Sequence, residues 1–369
     1  MAQPVQRNIV ISAVNVRKGG TLTVLRECLR YLSALDGVRV TALVHSRELC
    51  FYDGIEYIEI PWSIRSWLHR LWCEYITMYR ISKRRPEADL WLSLHDTTPR
   101  VKAKRQAVYC HTSFPFMKRK WQDFLFDAKI PLFSMLTKYA YRINVRRNKY
   151  LIVQQDWFRN AMTELAHFPK DRIIVAPPAF QTMEIEDRKQ EALMPVFLYP
   201  ATPDCHKNFE TLCEAAVLLE PLCKEFKVVL TIDGTENKYA RYLKKKYGHL
   251  KNIDFHGFMS KEELCRYYGL AACLVFPSRI ETWGLPISEF KPTGKPMLLA
   301  DLPYAHETAA GAAQAAFFPP DEAQTLSILM AQVAGVFVNG NLQACKAATA
   351  PQVPFAPDWD SLFNILLTQ

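Results

Sequence analysis

The sequence predicts an α/β protein made of two doubly wound, Rossmann-like domains. Strand-like and helix-like segments alternate almost throughout the 369 residues, which is typical of parallel sheets with crossover helices. The alternation restarts after a polar stretch without apolar periodicity, and the length suits two domains that each bury a core. We therefore predict an N-terminal domain over 1–180, a linker over 181–192, a C-terminal domain over 193–350, and a terminal segment, 351–369, able to pack back across the domains.

Apolar runs and helical stripes place the individual elements. A first strand within 5–14 precedes a helical stripe of leucines at positions 22, 25, 29 and 32. Further strands are predicted at Val38–Val44, Ile55–Ile60, Asp89–Leu94, Gln106–Cys110, Tyr150–Val153, Pro195–Tyr199, Lys227–Ile232, near Ile253, and at Cys273–Phe276. Helices are predicted at Asn208–Glu220, Lys238–Tyr247 and Asp358–Leu367, the last capped by Asp358.

Composition excludes several protein classes. Hydrophobic residues make up 49% of the chain and charged residues 22%, which argues against bulk disorder. We find no apolar run long enough to span a bilayer and no signal-peptide pattern, so we expect a cytoplasmic protein. The ten cysteines are scattered without a Cys-x-x-Cys, which predicts reduced thiols. A metal cluster at Cys205, His206 and Cys213 is conceivable but disfavoured.

The positive charge is concentrated in the first half. Residues 1–180 hold 29 Lys and Arg against 15 Asp and Glu, whereas the remainder holds 17 against 22. This imbalance predicts an anionic partner for the N-terminal domain. Trp62–Arg85 and Phe114–Arg147 mix aromatic with basic side chains, which suits docking on an anionic membrane surface. A core-facing helix with a solvated basic face explains the pattern equally well, and no motif supports nucleic acid binding.

The stretch 273–301 carries the most chemical information. It is predicted to form a strand, a loop, a short helix with Pro286 in its first turn, and another strand. Ligands of open parallel sheets bind beyond the carboxyl ends of strands, where this loop lies. The amides of Gly284 and Leu285 would suit a phosphate or a sugar hydroxyl. Glu281 and Glu289, eight residues apart, are predicted to project toward the same cleft. The alternative is that they are two acids on a solvated helix face.

The spacing of these residues resembles a known family. Glu281 and Glu289 are separated by seven residues with Gly284-Leu-Pro286 between them, and Phe276-Pro-Ser278 and Gly294-Lys-Pro296 flank the pair. This pattern is similar to glycosyltransferase family 4 (glycosyl transferases group 1), retaining enzymes that include many bacterial polysaccharide and lipopolysaccharide transferases. The resemblance implies the GT-B architecture, two Rossmann-like domains facing across a cleft. It also implies transfer of a sugar from a nucleoside-diphosphate sugar to a glycan or lipid-diphosphate-linked acceptor.

The resemblance assigns roles to residues of the C-terminal domain. The loop Tyr199–Phe209 is similar to the family's phosphate-contacting loop, so Lys207 would meet the donor diphosphate just before a helix capped by Asn208. Glu281 would orient hydroxyls of the donor sugar, and Glu289 would hold the ribose. The Gly284 and Leu285 amides would contact the phosphates.

One departure from the family concerns the second positive charge on the diphosphate. Many relatives carry an Arg a few residues before the Lys, but here Ala201, Thr202 and Pro203 occupy this part of the loop. Either Arg279 supplies the second charge, or stabilisation of the leaving group depends on Lys207 and helix dipoles.

Weaker resemblances complete the predicted site. Gly257, at the end of Asp254-Phe-His-Gly257, would lie where backbone groups meet the nucleotide base. Gly19 and Gly20 resemble the family's Gly-rich loop after the first strand, although an ordinary turn would need the same residues. His111 follows an apolar strand and is similar to a cleft histidine of bacterial members, although a lone histidine is more often structural.

The resemblance implies a retaining, metal-independent reaction without a cofactor. The one Asp-x-Asp, Asp358-Trp-Asp360, is better explained as a helix cap than as a metal site. Two other functions are compatible with the sequence. One is a sugar-nucleotide epimerase on the same architecture, and the other is a non-catalytic carbohydrate-binding or scaffold protein.

Overall fold

A computed structural model describes residues 7–178, 184–188, 193–337, 342–347 and 351–368. Most of the predicted linker, 181–192, therefore lies outside the described residues. The described residues group into two compact units. The first takes residues from 1–115, 135–179 and 351–369, and the second takes residues from 116–134 and 180–350.

The first unit contains a seven-stranded parallel sheet in the order β3-β2-β1-β4-β5-β6-β7. Its strands are β1 (Arg7–Ala13), β2 (Val38–Val44), β3 (Ile55–Glu59), β4 (Leu90–Ser93), β5 (Gln106–Tyr109), β6 (Tyr150–Val153) and β7 (Ile173–Val175). In the register of the sheet, Ile9 of β1 lies between Val40 and Leu90.

The second unit contains a six-stranded parallel sheet in the order β10-β9-β8-β11-β12-β13. Its strands are β8 (Val196–Tyr199), β9 (Lys227–Leu230), β10 (Ile253–Phe255), β11 (Cys273–Phe276), β12 (Met297–Ala300) and β13 (Ala315–Phe318). β7 and β13 extend the two sheets beyond the strands predicted from the sequence.

Most helices lie between successive strands, and the last two follow the final strand. They are α1 (Gly19–Ser33), α2 (Trp67–Trp72), α3 (Met78–Arg84), α4 (Trp121–Asp127), α5 (Lys129–Ala140), α6 (Asp156–Ala166), α7 (Phe209–Leu219), α8 (Lys238–Tyr247), α9 (Lys261–Leu270), α10 (Leu285–Phe290), α11 (Pro303–Thr308), α12 (Ala323–Val333) and α13 (Trp359–Leu367). A π-helical segment, Cys73–Thr77, joins α2 to α3. Within the described residues, no helix is long and apolar enough to cross a membrane.

The terminal helix α13 completes the core of the first unit. Its side chains Leu362, Phe363 and Leu366 are buried against the sheet together with the predicted leucine stripe of α1. The carboxylate of Asp358 accepts a hydrogen bond from the Ser361 amide at 2.8 Å, as expected for a helix cap. The terminal segment therefore packs back on the first unit.

Each sheet reverses its strand order beside its first strand. The reversal lies between β1 and β4 in the first sheet and between β8 and β11 in the second. In parallel sheets such a switch point leaves room for a ligand beyond the carboxyl ends of the two strands. The loops after β8 and β11 are those in which the sequence places the phosphate-contacting lysine and the Glu-Glu pair.

Residues 116–134 group with the second unit, in contrast to the predicted division at residue 180. The ring of Phe126 in α4 packs against the rings of Tyr239 and Tyr242, with centroids 5.2 and 4.8 Å apart. Lys120 Nζ lies 2.5 Å from a carboxylate oxygen of Asp321. These contacts are distant in sequence, which is why segment periodicity does not reveal them.

The described part of the linker runs along α9. The Arg188 amide donates to the Gly269 carbonyl at 3.0 Å. A Cβ atom at Gly269 would lie 2.3 Å from the backbone oxygen of Glu186, so only glycine permits this approach. Residues 184–188 are therefore an extended segment packed on the second unit.

Candidate active site

The switch point of the second sheet brings Lys207 and Glu281 together. Lys207 ends a 3-10 turn, Cys205–Lys207, in the loop after β8, and Glu281 lies in the loop after β11. The two side chains, 74 positions apart in sequence, form an ion pair with Nζ 2.5 Å from Oε1. They are 16% and 15% exposed, so a ligand can still reach them.

Buried hydroxyl groups hold both partners of this pair. The Ser278 hydroxyl donates to Glu281 Oε1 at 2.6 Å, and the Tyr304 hydroxyl donates to the Ser278 carbonyl at 2.7 Å. On the other side, the Tyr199 hydroxyl donates to the Lys207 carbonyl at 2.7 Å. Because both tyrosines are completely or almost completely buried, the pair is preorganised by rigid neighbours.

The loop after β11 turns sharply at Gly284. This residue has φ +85°, and a Cβ atom here would lie 3.2 Å from Cδ1 of Ile287. Helix α10 begins at Leu285, whose amide has no earlier carbonyl of the helix to donate to. Pro286 has no N–H, and the Ile287 amide donates to the Gly284 carbonyl at 3.0 Å. Glu289, one turn later, accepts a hydrogen bond from the Tyr268 hydroxyl at 2.8 Å. Glu281 and Glu289 thus lie before and inside the same short helix.

Arg279 is bound inside the protein, which contradicts its predicted role as a phosphate ligand. Its guanidinium donates to both carboxylate oxygens of Asp123 at 2.5 and 3.2 Å and to the Cys205 carbonyl at 3.0 Å. Both side chains of the ion pair are about 5% exposed (5% and 4%). The Arg279 amide also donates to the His206 carbonyl at 2.8 Å, which joins the two loops next to Lys207.

Asn208 has a structural role that differs from the predicted cap. Its backbone is left-handed, with φ +59°, and its side chain makes no capping hydrogen bond to α7. Instead its amide group donates to the Pro277 carbonyl at 3.1 Å and to the Pro320 carbonyl at 2.7 Å. Asn208 is 2% exposed, so it fixes the turn after Lys207 and does not face a ligand.

Gly257 follows β10 at the same edge of the second sheet. Its φ is +98°, and its Cα faces Asp233 of the neighbouring loop closely enough that a Cβ atom would lie 3.5 Å from Asp233 Cβ. The preceding His256 lies between Glu263, 3.0 Å away, and the Tyr267 hydroxyl, 3.3 Å away. Gly257 is itself buried in this turn, and the contact of its backbone with a nucleotide base stays a prediction.

In the first unit, Gly19 and Gly20 begin helix α1 at the switch point of the first sheet. Gly19 has φ +67°, a conformation that favours glycine. A Cβ atom at Gly20 would meet no protein atom within 4 Å. The turn itself therefore requires glycine at position 19 but not at position 20.

His111 lies after β5 and is almost completely buried. Its ring stacks on Tyr109 with centroids 4.4 Å apart, and its amide donates to Asp96 at 2.5 Å. Burial lowers the pKa of His111 to about 4, so the imidazole is neutral at neutral pH. Among the described residues, Nε2 of His111 has no hydrogen-bond partner. Nε2 is itself buried, so a role of His111 toward a ligand stays a prediction.

Five residues of these networks were not predicted from the sequence: Tyr199, Tyr268, Tyr304, Asp123 and Ser278. Tyr268 on Glu289 and Asp123 on Arg279 are distant in sequence from their partners. Ser278 belongs to the Pro-Ser dipeptide that flanks the acidic pair, which was the one available signal. In the part of the chain that is described, no group of three or more His, Cys, Asp or Glu side chains is arranged to hold a metal ion.

Comparison with known proteins identifies a matching family model and several similar proteins. The family model "Glycosyl transferases group 1" matches residues 183–334. The alpha-D-kanosaminyltransferase of Streptomyces kanamyceticus is 26% identical over 178 residues, which are 45% of this chain and 46% of that protein. The alignment thus spans about half the length of this curated relative.

Solved structures match a larger part of the chain. WaaG, a glycosyltransferase involved in lipopolysaccharide biosynthesis, superimposes with a TM-score of 0.64 at 14% identity, covering 89% of this chain and 90% of WaaG. HepE of Anabaena in complex with UDP-glucose gives 0.60 at 15% identity, covering 89% and 92%. The chain therefore has the GT-B architecture, and its residues 183–334 match the family model of the glycosyl transferases group 1.

Proposed function

We propose that this protein is a retaining glycosyltransferase that uses a nucleoside-diphosphate sugar as donor. The acceptor would be a glycan or a lipid-diphosphate-linked glycan of cell-surface polysaccharide synthesis. The observation that carries the proposal is the Lys207–Glu281 pair at the switch point of the second sheet, with Glu289 in the helix that begins beyond it. This is a place where open parallel sheets bind ligands.

Lys207 is suited to stabilise the departing diphosphate. Negative charge grows on the leaving phosphates in the transition state, and a fixed ammonium group near them lowers the barrier. Before the donor binds, Glu281 neutralises this ammonium group at 2.5 Å. Phosphate oxygens would replace the carboxylate as partners of Lys207, leaving Glu281 free to accept hydrogen bonds from hydroxyls of the donor sugar.

The diphosphate would be held with a single lysine charge from this loop. Arg279 is neutralised by Asp123, and the loop has Ala201, Thr202 and Pro203 before the lysine. We therefore assign the remaining stabilisation to the backbone amides of Gly284 and Leu285, because Pro286 has no N–H and the Ile287 amide already donates to the Gly284 carbonyl. With Lys207 and backbone amides stabilising the diphosphate, the proposed mechanism requires neither a metal ion nor an organic cofactor.

Retention would follow from reaction on one face of the sugar. The acceptor hydroxyl attacks the anomeric carbon as the bond to the phosphate oxygen breaks, and that phosphate oxygen takes the proton of the hydroxyl. The protein contributes positioning and charge stabilisation.

The names of the relatives support the substrate class. WaaG is described as acting in lipopolysaccharide biosynthesis, and HepE was solved with UDP-glucose. We extend these properties to the present chain as a proposal. All ten cysteines are free thiols, which suits the reducing cytoplasm, and we place the reaction there, at the inner face of the membrane.

A donor screen tests the proposal. Thermal shifts with UDP-, GDP- and ADP-sugars should show stabilisation by one nucleotide class, reduced in Lys207→Ala because the diphosphate loses its cation. Acceptor-stimulated release of the nucleoside diphosphate would separate a transferase from an epimerase. Stabilisation without any release would support the non-catalytic binding protein, and the absence of stabilisation by all three classes would contradict the proposal.

A further inference from the structure

Tyr268, in the last turn of α9, contacts the second acid of the Glu-Glu pair. Its hydroxyl donates to Oε2 of Glu289 at 2.8 Å, across 21 positions of sequence. Among the described residues, the other carboxylate oxygen of Glu289, Oε1, has no hydrogen-bond partner. The Glu289 side chain is half-buried. One of its oxygens is therefore held by the protein, and the other is available to a ligand.

The ring of Tyr268 is fixed by its packing. It is completely buried, and it lies edge-on to the ring of Phe290, with the two centroids 5.6 Å apart. A side chain in a close-packed interior occupies a defined rotamer, so the position of the hydroxyl is set by the fold. Burial and the neighbouring Glu289 carboxylate raise the pKa of Tyr268, so the hydroxyl keeps its proton and remains a donor.

The backbone of the same helical turn is held by Lys295. Its ammonium group donates to the Gly269 carbonyl at 2.5 Å and to the Tyr268 carbonyl at 3.5 Å. Such carbonyls at the end of a helix have no later amide of the helix as a partner, and a lysine satisfies them. Lys295 Nζ also lies 2.7 Å from Oδ1 of Asp187 in the described part of the linker. Both the ring and the backbone of Tyr268 are therefore fixed by residues outside α9.

The acceptor that Tyr268 uses differs from that of the other buried tyrosines near the site. A buried phenol hydroxyl needs a hydrogen-bond acceptor, and for Tyr199 and Tyr304 this is a backbone carbonyl. Tyr268 donates instead to a side chain of α10, the helix that follows β11 at the switch point of the second sheet. The hydrogen bond therefore orders a carboxylate at an edge of the sheet where ligands bind.

We propose that Tyr268 is a positioning residue that orients Glu289 toward the ribose of the donor nucleotide. This inference rests on the proposed function, with Glu289 as the acceptor of hydrogen bonds from the ribose hydroxyls. A carboxylate has this role in dinucleotide-binding sheets of the same doubly wound type. With Tyr268 on Oε2, the protein leaves Oε1 and one lone pair of Oε2 for the two hydroxyls. Because the carboxylate is ordered before the donor binds, binding loses less side-chain entropy.

Nucleotide binding by the full-length protein tests this inference without an acceptor. Calorimetric titration would compare UDP, GDP and ADP with their 2′,3′-dideoxy counterparts, which lack both ribose hydroxyls. We expect wild type to bind one ribonucleotide about 10-fold more tightly than its dideoxy form. Tyr268→Phe keeps the ring but removes the donor. It should bind the ribonucleotide about 5-fold more weakly than wild type does, and the dideoxy form equally well.

Two comparisons separate positioning from a general loss of stability. Tyr247→Phe removes the hydroxyl of another buried tyrosine that donates to a glutamate, Glu214, at 3.1 Å, and it should keep the wild-type preference for ribose. In a Glu289→Ala background, Tyr268→Phe should weaken ribonucleotide binding by less than about 2-fold, because its effect passes through the carboxylate. Thermal unfolding establishes that each variant is folded.

The possible results distinguish this inference from the proposed function. The inference is wrong if folded Tyr268→Phe keeps the wild-type preference for ribose, or if it binds the ribonucleotide and the dideoxy form more weakly by the same factor. A full 5-fold loss in the Glu289→Ala background would also contradict it. These results leave the proposed transferase activity intact, whereas failure of wild type to bind any of the three ribonucleotides would contradict both.

Discussion

Arg279 shows how a single residue can carry the expected charge and yet not be available to a ligand. From the sequence it was one of two alternatives for the second positive charge on the diphosphate, the other being stabilisation by Lys207 and helix dipoles alone. In the structure the carboxylate of Asp123 holds its guanidinium at 2.5 Å with both groups buried. Asp123 belongs to α4, more than a hundred residues earlier in the chain, so the sequence around Arg279 does not predict this ion pair.

Removing one member of this buried pair should destabilise the second unit. Asp123→Asn would leave a buried, uncompensated guanidinium, at an expected cost of about 3–5 kcal/mol in the free energy of unfolding. The double variant Asp123→Leu/Arg279→Leu should recover most of that loss, because neither charge remains. Glu27→Gln removes an exposed ion pair with Arg30 and should change stability by less than about 1 kcal/mol. Denaturant unfolding of the four proteins measures these differences, and equal midpoints for Asp123→Asn and wild type would contradict the assignment.

Burial of the His111 imidazole makes the free energy of unfolding depend on pH. Its pKa is lowered from 6.5 to about 4, because burial penalises the imidazolium. As the pH falls below about 6.5, the unfolded chain takes up a proton that the folded chain does not, so folding is progressively disfavoured until about pH 4. Burial also lowers the pKa of His95 and His206, which adds to the same trend.

Replacing His111 should therefore reduce acid sensitivity. Between neutral pH and about pH 5, His111→Gln should lose about 2 kcal/mol less stability than wild type, because its side chain does not titrate. Denaturant unfolding at the two pH values measures the change for each protein. Parallel losses in the two proteins would show that the folded imidazole is not held neutral.

At the scale of elements, the two glycines that begin α1 have different requirements. Gly19 needs its left-handed backbone, whereas Gly20 has open space where a Cβ atom would lie. Gly20→Ala should therefore leave stability unchanged or raise it by about 0.5–1 kcal/mol, since alanine favours the helix. If the loop approaches a bound substrate, as the family resemblance implies, donor turnover should fall at least about 10-fold despite the intact fold.

Thr23→Ala is the control for that experiment, because it also adds helix propensity at an exposed position of α1. It should leave turnover unchanged. Gly20→Ala with wild-type turnover and wild-type stability would contradict a role for this loop in substrate binding.

Most strands were predictable because each buried parallel strand is a short apolar run bounded by polar residues. β7 and β13 were not predicted, although the predicted strand β10 has only three residues and β11 four, so strand length alone does not explain the difference. The Phe318-Pro-Pro sequence in particular reads as a turn, although its phenylalanine ends β13. The position of α4 on the second unit could not be predicted, because it depends on Asp123 and Phe126 meeting residues far along the chain.

At the scale of the whole molecule, the strand order explains why the central part of the site could be predicted. Lys207 and Glu281 follow the two strands on either side of a switch point, so a parallel α/β sheet places their loops together. The sequence therefore predicts that Lys207 and Glu281 belong to the site, and the strand order explains why their side chains lie close together. The hydroxyl network around them could not be predicted, since Tyr199 and Tyr304 act through backbone carbonyls.

Release of nucleoside diphosphate from the donor tests the proposed function most directly. The donor is the nucleotide sugar that stabilises the protein, and Lys207→Ala and Glu281→Ala are compared with wild type. Lys224→Ala and Glu225→Ala serve as matched controls at exposed positions of the second unit. We predict that release falls about 100-fold in the first two variants, because leaving-group charge and sugar orientation are lost, and that it persists in the controls. Undiminished release in folded Lys207→Ala or Glu281→Ala would contradict the account.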